Sequence, residues 1–307
     1  MNVVALAGGV GGAKLAHGLA LVLPPESLTV VVNTGDDFEH LGLPISPDVD
    51  TVMYTLAGLA NPATGWGLQG ETWSFLEALG RLGGETWFSL GDRDLATHIE
   101  RRRRLESGQT LTEVTRALCG ALGVGPAVLP MSDGRLRTVV QTDEGDLGFQ
   151  EYFVHRQCQP RVSGFIFEGQ AQARPTTAVT QALAQADLIV FCPSNPFVSI
   201  GPILALPGVR ELVRARPALA VSPIVGGKAL KGPADKMLGE LGLDVSAAAV
   251  ARYYGDLLQG FVLDALDGAQ AEALRAQPLR VLVTDTVMRS EADRQRLARQ
   301  VIDFAGI

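Results

Sequence analysis

The amino-terminal stretch constrains the fold more than any other. Val3 to Ala7 is a short apolar run, and Gly8-Gly9-Val10-Gly11-Gly12-Ala13-Lys14 follows at once. Such a run closed by glycines reads as a buried strand. The apolar spacing from Ala13 to Leu23 reads as a helix stopped by Pro24-Pro25. Strand, glycine turn and helix in that order open a parallel α/β sheet. Leu28 to Val32, Leu188 to Cys192, Leu219 to Val221, Phe261 to Leu263 and Val281 to Thr284 supply further strands, with helices between them and a last helix near Ser290 to Ala305.

The predicted architecture is therefore a Rossmann-like, mostly parallel sheet with helices on both faces, its core formed by residues 1–128 and 176–307. Between them, 129–175 reads as a smaller β-rich insertion, because Arg137 to Gln141, Leu147 to Val154 and Val162 to Phe167 alternate or carry β-branched and aromatic residues. Thr51 to Leu59 is predicted as a helix with Asp50 as its N-cap. Helical patterns fill Thr72 to Leu122, around a strand at Trp87 to Leu90. An open sheet of this kind binds ligands beyond the carboxyl ends of its strands.

Composition narrows the function. With 47% hydrophobic and 19% charged residues the chain is globular, and a net charge of −7 argues against a nucleic-acid partner. No apolar run reaches the roughly 20 residues of a membrane span. The start lacks a basic leader, so a soluble, cytoplasmic protein is expected. Cys119, Cys158 and Cys192 have no metal or redox spacing and read as reduced thiols, and His17, His40, His98 and His155 show no paired ligand spacing for zinc.

Four segments carry candidate chemistry. In the first loop Gly8, Gly9, Gly11 and Gly12 let backbone approach an anion at a helix start, with Lys14 beside them. Walker A is excluded, because Lys14 follows Ala13 and precedes Leu15. A dinucleotide fingerprint fails as well, because strand two ends in Asn33 rather than an acid. Second, Asn33-Thr34-Gly35-Asp36-Asp37 and Ser46-Pro47-Asp48-Val49-Asp50 gather hard oxygen donors that suit Mg²⁺ beside a phosphate, or a general base. Third, Gly91-Asp92-Arg93-Asp94 is either a turn and cap or a donor fork for an anionic ligand. Fourth, Cys192-Pro193-Ser194-Asn195-Pro196 places a hydroxyl and an amide where a strand yields to a helix. Ser222 to Gly227 repeats the pattern and is expected in the same cleft. Arg101 to Arg104 are consecutive and read as a solvated helix face. No Gly-x-Ser-x-Gly elbow supports a serine hydrolase.

Taken in order, Ala7 to Leu15, Val32 to Asp37, Ile45 to Thr55, Gly91 to Asp94, Met131-Ser132-Asp133, Pro193 to Pro196 and Ala220 to Gly227 resemble the 2-phospho-L-lactate transferases of deazaflavin coenzyme (F-420) biosynthesis. The resemblance spans nearly the whole chain. It implies Mg²⁺-dependent transfer of a phospholactyl-type group, from 2-phospho-L-lactate or phosphoenolpyruvate, out of a GDP-linked donor. The acceptor would be the terminal ribityl hydroxyl of the deazaflavin Fo, with GMP released, in a cytoplasmic homodimer. It also implies that Gly8, Gly9, Gly11, Gly12, Lys14, Ser194 and Asn195 hold the nucleotide, and that Asp36, Asp50 and Arg93 contact substrate. Asp48, Asp50 and Asn33 would hold the metal, and Asp50 and Asp48 would be the catalytic pair. The alternative is a nucleotide-sugar-binding regulatory protein of the same superfamily. That branch carries an Asp-Asp-Gly-Gly-Ser-Ser-Gly stretch where this chain has Asp36-Asp37-Phe38-Glu39-His40.

Overall fold

A computed structural model describes residues 1–306. Seven parallel strands form the main sheet. They are β1 (Val3–Ala7), β2 (Leu28–Val32), β3 (Ala127–Pro130), β4 (Leu188–Phe191), β5 (Ala218–Val221), β6 (Gly260–Asp264) and β7 (Arg280–Thr284). Their spatial order is β7-β6-β5-β4-β1-β2-β3, so the chain winds outward in both directions from β1. β1 pairs with β2 on one side and β4 on the other, which opens a crevice at the carboxyl ends of β1 and β4.

The runs are apolar throughout because both sheet faces are covered. Val4, Leu6, Val31, Ile189 and Phe191 point into one core, and their alternates Val3, Ala5, Val30, Leu188 and Val190 into the other. On the second face lie α1 (Gly9–Val22), α2 (Pro47–Leu56) and α4 (Glu291–Ala305), with α1 packed between the other two. A further helix, α3 (Asp92–Glu106), buries only His98 and Arg101 and lies beside α2. The β-rich insertion is an antiparallel sheet of Arg137–Thr142 between Gly145–Gly148 and Val162–Glu168.

Four local expectations change. Helix α1 begins at Gly9 and not Ala13, so the glycines form its first turn instead of a loop before it. Helix α2 begins at Pro47, which places Asp50 inside the first turn instead of at the cap. Ser46 takes the cap position but gives its hydroxyl to Asp37 at 2.7 Å. Trp87 to Leu90 is not a strand. Trp87 and Phe88 instead pack edge-on against His40 and Phe38 of the small Phe38–His40/Leu43–Ile45 hairpin. The strand expected at Leu147 to Val154 ends at Gly148 and gives way to a helical turn, Glu151–His155. That turn buries Tyr152 and stacks Phe149 on Phe153.

The α1–α4 contact is close enough to need a glycine. A Cβ on Gly18 would overlap the backbone carbonyl of Arg294. Alanine normally stabilises a helix interior relative to glycine by about 0.5–1 kcal/mol. Here Gly18→Ala is expected to destabilise by about 1–3 kcal/mol, as overpacking does. A urea midpoint equal to or above wild type would show that the two helices can part at no cost.

Candidate active site

The crevice at the ends of β1 and β4 deepens into a cavity of about 360 Å³, within the usual range for small-molecule sites. Four acids line it, Asp36, Asp48, Asp50 and Asp94, and Asp36, Asp48 and Asp50 are each no more than 7% exposed. The apolar side chains Ile45, Phe88, Phe149, Phe153 and Val154 also line it. Lys231, in the loop after the Ile224–Val225/Lys228–Ala229 hairpin, is the one lysine or arginine on the cavity wall among the described residues.

Asp48 ties the acids to the start of α1. Its Oδ1 accepts the Gly9 backbone N–H at 2.6 Å and its Oδ2 accepts the Asn33 amide at 2.9 Å. The same amide reaches Asp36 Oδ1 at 3.0 Å and the Val198 carbonyl at 3.2 Å. The Asn33 oxygen accepts from Gly35 N–H at 2.7 Å, so its NH₂ and not its carbonyl faces the acids. Asp36 is held further by Gln150 Nε2 at 3.1 Å.

The glycine turn is tied down by the protein itself. Ser194 Oγ accepts from Gly8 N–H at 3.1 Å and donates to the Gly8 carbonyl at 2.8 Å. With Asp48 on Gly9, Val10 and Gly11 are the first-turn donors left facing the cavity. Gly9 has φ +62°, which favours glycine, and a Cβ on Gly11 would overlap the Pro193 carbonyl. Asn195 lines the cavity but spends its oxygen on Phe197 and Val198 N–H, as the cap of the next helical turn. Ser194 and Asn195 thus act first as scaffold.

The other sequence candidates lie outside the cavity. Gly12 packs against Ser194 and Ala7. Lys14 turns away and donates to the Met288 carbonyl at 3.1 Å, while burial and the charges of Arg294 and Lys231 lower its pKa. Arg93 donates to the Gln69 carbonyl at 2.8 Å. Ser222 bonds Ile224 at the end of β5, and Ser222 to Gly227 do not reach the wall as expected. Arg101 corrects the reading of a solvated basic face. It is 1% exposed and ion-paired to Asp50, while Arg102 and Arg103 point outward. A four-residue arginine run spans a full helical turn, so one member must face inward.

Burial dominates the electrostatics. It pushes the Asp48 carboxyl up to about 6, against the pull of the Asn33 and Gly9 donors. Burial, reinforced by the Asp48 and Asp37 charges, raises Asp36 well above the carboxylate range. Burial likewise raises Asp37 well above that range, opposed mainly by its Ser46 bond. For Asp50, burial outweighs the Arg101 charge and the pKa again rises. Asp37 Oδ1 and Asp50 Oδ2 are buried with no hydrogen-bond partner. Among the described residues no three acid, histidine or cysteine side chains converge into an all-protein metal site. Asp50, the one of these two that lines the cavity, fits a cation that takes one or two carboxylates and completes its shell with water and phosphate.

An open α/β sheet with a glycine turn and buried acids at its switch point is the frame of an enzyme that handles phosphorylated substrates. The family model described as "2-phospho-L-lactate transferase CofD" matches residues 3–302. The chain belongs to the CofD family and is a phosphotransferase of that general type. It is similar to the phosphoenolpyruvate transferase of Streptomyces griseus subsp. griseus, with 44% identity across 99% of this chain and 98% of the relative. It is also similar to the 2-phospho-L-lactate transferase of Methanosarcina acetivorans, with 40% identity across 97% of each chain. The crystal structure of protein BH3568 from Bacillus halodurans shares the fold, with TM-score 0.65 and 15% identity over 98% of this chain and 99% of that one.

The Asp48 shift predicts a pH dependence. An unfolded aspartate titrates near about 4, so the folded protein binds this proton more tightly. The stability it contributes is fully present below that value and is lost as the pH rises through about 6. The urea midpoint of ligand-free wild type should therefore fall relative to Asp48→Asn over this window. Parallel curves for the two proteins would contradict it.

Proposed function

We propose that this protein transfers a three-carbon phosphoacid group, phosphoenolpyruvyl or phospholactyl, from a GDP-linked donor to the terminal ribityl hydroxyl of the deazaflavin Fo. GMP is the leaving group and the product is a precursor of coenzyme F-420. The observation that carries the reading is the full-length similarity to relatives named for those two acid transfers, at 44% and 40% identity. The mixed lining of the cavity supports it. A flat deazaflavin suits the wall of Phe88, Phe149 and Phe153, and the charged donor suits the end held by Val10, Gly11 and Lys231.

In the reaction the hydroxyl oxygen attacks the phosphorus bearing the acid, the bond to the GMP oxygen breaks, and the hydroxyl proton leaves to a carboxylate. Asp50, whose Oδ2 has no hydrogen-bond partner, is the candidate to receive it, with Asp48 beside it on the wall. Mg²⁺, when bound, would neutralise phosphate charge. Asp50 would hold it through that oxygen, with Asp48, fixed by the Asn33 amide, as the second carboxylate. Lys231 supplies the remaining positive charge, and the first turn of α1 the backbone donors. Most of the acceleration comes from alignment and charge neutralisation.

Purified protein with Fo, Mg²⁺ and each candidate donor in turn should release GMP and form the phosphodiester. Tight UDP-sugar binding without GMP from any donor would favour the regulatory alternative instead. Loss of one charge-assisted phosphate contact is worth about 1.5–3 kcal/mol. Lys231→Met should therefore raise the donor KM by roughly 10- to 100-fold while the Fo KM stays near wild type. An unchanged donor KM would remove Lys231 from the donor site.

A further inference from the structure

Arg101 is the largest side chain the fold buries completely. Burying a guanidinium is costly, and a hydrophobic residue of similar size commonly serves stability as well or better. Its contacts say what the residue is for. Nη2 donates to Asp50 Oδ1, and Nη1 donates to His98 Nδ1 at 3.0 Å and to the Pro44 carbonyl at 3.3 Å.

Arginine only donates, so His98 Nδ1 must present its lone pair and the ring proton sits on Nε2. That nitrogen lies 3.4 Å from Asp94 Oδ2, and Asp94 Oδ1 accepts the Tyr54 hydroxyl at 2.6 Å. Asp50 and Tyr54 stand four apart on α2, and Asp94, His98 and Arg101 share one face of α3. His98 and the Pro44 carbonyl thus hold Arg101 against one oxygen of Asp50. The other oxygen, Oδ2, has no hydrogen-bond partner, and Asp50 lines the cavity.

We infer that Arg101 is a positioning residue for the transfer. It locks Asp50 in one orientation, with Oδ1 engaged and Oδ2 left for the reacting groups. The inference rests on the transfer reaction proposed for this cavity.

A double-mutant cycle separates positioning from a mere tie between α2 and α3. Arg101→Met should lower kcat at least about 30-fold, while both substrate KM values stay within about threefold. On the Asp50→Asn background the same change should alter kcat by less than about threefold, because the residue it acts through is already disabled. The Asp50→Asn/Arg101→Met protein leaves no unpaired member of this ion pair, so it keeps the cycle readable if Arg101→Met folds poorly. Arg101→Lys, read by the same assay, should recover part of the lost kcat.

An activity-free arm uses crystal structures of wild type and Arg101→Gln, in which the Asp50 carboxylate should leave its wild-type orientation. Equal kcat losses in both backgrounds, or an unmoved Asp50, would overturn the inference. Absence of transfer by wild type would instead sink the proposed reaction, and the crystallographic arm would still decide the role of Arg101.

Discussion

The site depends on one buried carboxylate. Asp48 is carried on α2, yet its oxygens are taken by the start of α1 and by the residue that follows β2. Gly9 N–H is a donor with no intrahelical acceptor, and α1 has its positive dipole end there. A carboxylate at that point satisfies the donor and complements the dipole, and it fixes how α2 sits on the sheet. The glycines matter for the same reason. A Cβ on Gly8 would come within 2.5 Å of Asp48 Oδ2, so only glycine lets the acid reach the helix start. The helix terminus that would otherwise be an anion site is therefore partly filled from within, and Val10 and Gly11 are the first-turn residues beyond that contact that line the cavity.

Holding Asp48 there has an electrostatic consequence. Asp36, Asp48 and Asp50 are buried and Asp37 half-buried within one region, and Arg101 is a buried cation paired with Asp50. The hydrogen bonds from Asn33, Gln150 and Ser46 lower the cost of this charge but do not cancel it, and each of the four pKa values stays raised. The fold thus accepts a standing penalty at the place where it will bind substrate. Binding sites commonly trade stability in this way, and the penalty falls when a cation or a proton arrives with the ligand. An anionic donor entering such a cavity meets repulsion unless positive charge comes with it or waits at the rim, where Lys231 stands.

Much of this was legible in the sequence because the relevant signals are local. Fully buried parallel strands read as unbroken apolar runs, and the strands assigned to the main sheet recur within a residue or two of their observed ends. Glycines after β1 and acids after β2 likewise fall where the sheet opens. What escaped depends on partners distant in the chain. Arg101 is indistinguishable from its three arginine neighbours until α3 is laid against α2. The cap of α2 was misassigned because Ser46 is drawn to Asp37, a contact between segments nine residues apart. Phe88, Phe149 and Phe153 form a wall only when the insertion folds back over the core, and no spacing joins Phe88 to the other two. The polar side chains of Ser194 and Asn195 were correctly brought to the cleft, but only the fold reveals that their hydrogen bonds are already spent.

The same division of labour bears on which acid is transferred. Relatives named for phosphoenolpyruvate and for 2-phospho-L-lactate match this chain over essentially their whole length, at 44% and 40% identity. The two acids differ by one carbon–carbon double bond, that is by two hydrogens and the geometry of two carbons, and carry the same phosphate and carboxylate. Under the proposed reaction, a frame that met the donor through backbone N–H groups and one lysine would contact only what the two acids share. Discrimination between groups that differ this little in an apolar contact is worth about 1–3 kcal/mol. That much is within reach of one or two side chains on the cavity wall, so a change of acid would need no change in the Asp48–Gly9 contact itself.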